Sequence, residues 1–140
     1  MKKRLLYVIL PILVIVLEIL PYGAVLNFGI PATDGSVGFF RETFSYFDLT
    51  PFGYGHFGCL ITAVLTCVLL LLGLVYFING RKGMKKAISV LSLAASIISL
   101  SPFLLGIKFV SVVGVLISML LIAEFVFTRI KTLNNLKGTD

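Results

Sequence analysis

The chain alternates long apolar runs with short polar joints. Apolar positions run almost unbroken over 5–26, 57–78, 87–105 and 109–127. Each run approaches the roughly 20 residues that cross a hydrocarbon core. Backbone groups find no water in lipid, so each run predicts a helix that satisfies its own hydrogen bonds. A membrane barrel would show shorter, alternating segments instead. The pattern therefore predicts an all-α integral membrane protein: a four-transmembrane-helix bundle that makes a single domain of 1–140. Pro11 falls inside the first run and removes one helical hydrogen bond, which predicts a kink.

The joints are unequal. "NGRKGMKK" links the second and third runs, and "SPFLLGIKF" links the third and fourth. Connections this short make antiparallel neighbours. The first joint, 27–56, is long and reads as an extracytoplasmic loop. Its first part, "NFGIPATDGS", is rich in turn residues. Its second part, "VGFFRETFSYFDL", has helical spacing. Phe40, Phe44 and Phe47 fall at i, i+4 and i+7, and Arg41, Ser45 and Asp48 form another face. Thr50-Pro51 stops the run. The expectation is a short amphipathic interfacial helix over about 37–48, stable only with its Phe face buried. The headgroup boundary or a groove on the bundle would cover that face. Tyr46 and Tyr54 suit an interface, and His56 is the one side chain there that titrates near neutrality. Phe40, Phe44, Phe47, Tyr46, Tyr54 and His56 are thus the candidate lipid or partner surface.

Composition supports the membrane reading. The 140 residues are 59% hydrophobic and 13% charged, with mean hydropathy +1.10. A soluble domain carries about 25% charged residues. Charge then sets orientation. Ten of the twelve basic residues lie at the N-terminus, in the second joint or after the last run; only Arg41 and Lys108 lie on the other side. The positive-inside bias places both termini in the cytoplasm, in a multi-pass protein of the plasma membrane. The net charge of +6 is a topology signal and a contact for anionic headgroups. It is not a nucleic-acid surface, because the charges flank spans. The exit of the first run, "EILPYGA", suits cleavage poorly because Tyr22 stands where a small residue is wanted, so a retained anchor is expected.

Catalytic chemistry is sparse. Cys59 and Cys67 are eight residues apart on one predicted helix and form no C-x-x-C. One His predicts no metal site and no cofactor. The chain has no G-x-S-x-G, P-loop or H-E-x-x-H motif. An enzyme is not expected. Two carboxylates interrupt the runs: Glu18 near the outer end of the first, and Glu124 near the inner end of the fourth. Intramembrane acids are candidate functional sites. Both are expected in last helical turns, where the dipole disfavours an anion, so each needs a cation, a proton or a wet exit. Lys108 is the expected mate of Glu18; Arg81, Lys85 or Arg129 could serve Glu124. Small residues four apart, such as Ser92/Ser96, Ala95/Ser99 and Gly114/Ser118, predict close helix contacts within one bundle or self-association.

The layout of inner termini, a long first outer loop and short later loops resembles that of claudin-type four-span proteins. The outer-loop Trp and paired Cys of that family are absent. A Glu in the first span resembles small multidrug transporters, whose loops are short throughout. Neither resemblance assigns a family. The expected function is non-enzymatic: a scaffold, accessory or partner-binding subunit acting through the outer aromatic loop. Its partners would be the lipid bilayer and a membrane protein or a second copy of itself. The alternative is a small transporter or channel using Glu18 and Lys108.

Overall fold

The computed structural model describes residues 2–31, 37–48 and 57–137. The elements are α1 (Lys2–Ile19), β1 (Ala24–Pro31), β2 (Val37–Phe44), α2 (Gly58–Asn79), α3 (Lys82–Ser99), α4 (Ser101–Leu105), a 3-10 turn (Ile107–Phe109) and α5 (Val112–Lys137). The four long helices close a ring in which α1 packs on α2, α2 on α3, α3 on α5 and α5 on α1. Three stretches are long and apolar enough to cross a membrane: Gly58–Asn79, Gly83–Leu105 and Val112–Ile130. The second joins α3 to α4 with only Leu100 between them. α1 is shorter and carries Lys2, Lys3, Arg4 and Glu18. It ends seven residues before the expected boundary of its run, because Pro21 pushes the preceding residue out of helical geometry.

The bundle is apolar outside and partly polar inside. Leu71, Ile78, Val90, Ile97, Val112 and Met119 face outward, each at least 61% exposed. Thr62, Thr66, Ser92, Ser96, Ser99, Ser118, Glu18 and Glu124 are buried. Water would select the reverse arrangement; lipid selects this one. The inward hydroxyls mostly bond their own helix, as Thr62 Oγ1 to the Gly58 carbonyl (2.7 Å) and Ser96 Oγ to the Ser92 carbonyl (2.7 Å). Being small, they also let helices approach. Ser118 Oγ of α5 donates to the Ser99 carbonyl of α3 at 3.3 Å. The small-residue stripes of α3 and α5 are therefore spent on packing inside one bundle.

The outer segment corrects the sequence expectation. Residues 37–44 form a strand, not a helix, and pair antiparallel with 24–31. The register sets Phe28 against Phe40, Asn27 against Arg41 and Val25 against Thr43. A lone helix over 37–48 would satisfy only its own backbone. The hairpin satisfies that of 24–31 as well, and adds cross-strand aromatic and β-branched pairs. The rings of the expected Phe stripe accordingly separate. Phe40 is 54% exposed, Phe47 is 39% exposed and Phe44 is half-buried. Ser45 and Asp48 close a tight turn instead of forming a polar helix face: the Ser45 amide donates to Asp48 Oδ2 at 2.7 Å, and the Phe47 amide to Ser45 Oγ at 3.1 Å.

Candidate functional site

Two interior acids and one outer hairpin hold most of the unusual chemistry. The stripe Tyr7, Pro11, Val14 and Glu18 of α1 repeats at helical spacing and is buried throughout, which carries Glu18 into the bundle. Thr66 Oγ1 of α2 lies 2.9 Å from both Glu18 Oε1 and the Thr62 carbonyl, so its single proton is shared between the two acceptors. The other oxygen, Oε2, is buried without a hydrogen-bond partner among the described residues. Tyr46, 1% exposed, closes the same outer end. Its amide donates to the Glu18 carbonyl at 2.9 Å, which partners a backbone group freed where α1 ends. Burial pushes the Tyr46 phenol well above its ordinary range, with Cys59 and Glu18 beside it.

The expected pair of Glu18 with Lys108 does not form. Lys108 is exposed on the 3-10 turn, and its ammonium lies 5.9 Å from the centre of the Phe39 ring. The physical reason is the hairpin. β1 packs on the 3-10 turn, and Asn27 Nδ2 donates to the Lys108 carbonyl at 3.3 Å. Arg41 Nη2 reaches the Val110 carbonyl at 3.4 Å, and Ser111 Oγ donates to the Gly23 carbonyl. Lys108 is thus held on the hairpin side, while Glu18 takes a hydroxyl from inside the ring. The residue missed from sequence is Thr66. A hydroxyl on the buried face of the second run was its only signal.

A double-mutant cycle reads this out. Glu18→Gln and Thr66→Val should couple by about 0.5–3 kcal/mol in detergent unfolding, as groups in contact do. Glu18→Gln and Lys108→Met should add to within about 0.5 kcal/mol. Coupling of Glu18 to Lys108 but not to Thr66 would reverse the assignment.

Glu124 sits on the buried face of α5, with both carboxylate oxygens lacking a hydrogen-bond partner among the described residues. It is not in a last turn, because α5 continues to Lys137. The cations expected to serve it are engaged elsewhere or exposed. Lys85 lies 5.9 Å from the Tyr76 ring centre, Arg129 lies 6.0 Å from that of Phe125, and Arg81 is exposed. Around this end, Tyr7 meets Tyr76 edge-on at 5.1 Å and Phe127 at 5.6 Å.

On the hairpin, the strand alternation puts Phe28, Phe40 and Ile30 on one face. Phe39 is 71% exposed on the face toward Lys108, and Ile30 is 51% exposed. Tyr54 and His56 lie outside the described residues. Cys59 and Cys67 are both free thiols. Among the described residues no group of His, Cys, Asp and Glu gathers as a metal site would require. No protein family, curated protein or solved structure matches the chain.

Proposed function

We propose that this protein is a non-enzymatic partner-binding subunit of the plasma membrane, acting through its outer hairpin. The observation that carries the reading is an anchored hairpin whose Phe40 and Ile30 share an exposed face, opposite the one that Asn27, Phe39 and Arg41 turn to the segment 108–111. Three hydrogen bonds from or to Gly23, Asn27 and Arg41 tie it to the segment 108–111. Phe40 and Ile30 are nevertheless more than half exposed. A pinned, pre-ordered apolar surface loses little entropy on docking, which is what a binding site needs. The distribution of basic residues supports cytoplasmic termini and an outside hairpin.

A photoreactive residue at position 40 tests this in intact cells. The expected product is a discrete protein adduct, lost when Ile30 on the same face is changed to Asp. Adducts with lipid only would make the hairpin a depth anchor and end the binding proposal. A cysteine at 40 should react with an impermeant reagent from outside, and one at 83 should not.

A second reading rests on Glu18 Oε2, a buried acceptor lacking a partner beside Thr66. Such a carboxyl can receive a proton or a cation, as in a small transporter. That reading keeps Glu18 and replaces Lys108 by Thr66. Its test is a pH-dependent flux in liposomes that Glu18→Gln abolishes; an unchanged flux, or none in the native protein, removes it.

A further inference from the structure

The basic end of the bundle holds a crevice between α3 and α5. Lys86, Ser89, Val90 and Leu93 form one wall, Phe125 and Arg129 the other, around about 340 Å³. The α3 residues fall at i, i+3, i+4 and i+7, a single stripe. α3 and α5 run antiparallel, so Lys86, near the start of one candidate span, meets Arg129, near the end of another. Both cations therefore stand at the depth where hydrocarbon gives way to headgroups. From Lys86 the wall descends through Val90 to Leu93, about 10 Å along the helix. Val90 is 62% exposed and Leu93 39%. Arg129 packs over the Phe125 ring, which orients the guanidinium beside the opening.

We propose that this crevice is a binding site for an anionic phospholipid. Lys86 and Arg129 clasp the phosphate, the Ser89 hydroxyl donates to it, and an acyl chain lies along Val90 and Leu93. The argument is charge complementarity together with order: two cations at the rim, then hydrocarbon toward the membrane centre. A free anion would match only the rim. A zwitterionic lipid would match the hydrocarbon but bring its own cation to the two already there. Basic clefts between helices on the cytoplasmic side recognise anionic headgroups by this arrangement, and the guanidinium fork suits a phosphate. The site is separate from the outer hairpin and stands whether or not the hairpin binds a partner.

The test uses the full chain in mild detergent, with retained lipid counted by native mass spectrometry. Phosphatidylglycerol and phosphatidylcholine with identical acyl chains are the probes. The expected result is one retained phosphatidylglycerol, strongly preferred over phosphatidylcholine. Lys86→Gln and Arg129→Gln should each weaken retention about fivefold, the worth of one cation near a surface, and together about thirtyfold. Val90→Trp, which fills the crevice and leaves both charges, should also release the lipid. Arg81→Gln, an exposed cation outside the crevice, should change nothing. Equal retention of the two lipids would overturn the proposal. So would equal loss in Arg81→Gln, or full displacement by inorganic phosphate at the same concentration.

Discussion

Tyr46→Ala is expected to cost about 3–5 kcal/mol in detergent unfolding, the range for removing a large buried aromatic side chain. The side chain is 1% exposed and plugs the outer end of the helix ring. It also sets how the hairpin enters the bundle. A Cβ added at Gly23 would come within 2.8 Å of its ring, and one at Gly114 within 3.2 Å of its hydroxyl. The ring thus fills space that two glycines, one before β1 and one in α5, leave open. Phe at this position keeps the volume and should cost far less than Ala. The contrast separates packing from any need for the hydroxyl. The alanine variant has a second expected effect. The Tyr46 amide remains to hold the Glu18 carbonyl, but the plug over the Glu18–Thr66 contact is gone. Water should then reach Glu18, and amide exchange in 45–48 should accelerate. An alanine variant as stable as the native chain would show that the outer end is closed by something else.

What the sequence revealed and what it hid follow from range. The helices of the bundle were legible because lipid forces self-satisfied backbone, and a run of about 20 apolar residues admits few other solutions. The interior place of Glu18 was legible because an acid near the end of an apolar run needs a cation, a proton or a wet exit; the buried stripe Tyr7, Pro11 and Val14 carries it there. Its partner was not legible, because Thr66 lies 48 residues away and nothing local marks it. The hairpin failed for a related reason. Phe40, Phe44 and Phe47 fit a helical period, and period is a local signal. Strand pairing depends on a second segment, 24–31, whose first residues continue the apolar run of α1 and whose rest is rich in turn residues. Pro21 was the available warning that the span ended early. The interior of the bundle was half legible: small residues predicted close contact, but not which helix each would meet.

Gly73→Leu is the second large effect expected, at the crossing of α1 and α2. A Cβ at Gly73 would fall on the carbonyl of Tyr7, well inside van der Waals contact. A backbone atom cannot rotate aside as a side chain can, so the helices must part. Even alanine illustrates the balance. Removing a glycine from a helix gains about 1 kcal/mol of propensity, and overpacking a tight contact costs about 1–3 kcal/mol. With backbone as the obstacle the clash should win, so Gly73→Ala should be destabilising and Gly73→Leu more so. Gly83→Ala is the control, because nothing lies within 4 Å of a Cβ there; it should be neutral or slightly stabilising. The consequence extends along the interface. One turn on, Tyr76 packs edge-on against Tyr7, with the Arg4 guanidinium 5.8 Å from its ring centre. Arg4 in turn lies against Gly80, whose positive φ of 63° caps α2. Parting α1 from α2 at Gly73 should therefore loosen Arg4 from the end of α2 and weaken the Glu18–Thr66 contact at the other end. Unfolding midpoints for Gly73→Ala, Gly73→Leu and Gly83→Ala in one detergent decide the matter. A Gly73→Ala variant at least as stable as the native chain would mean that α1 does not approach α2 this closely.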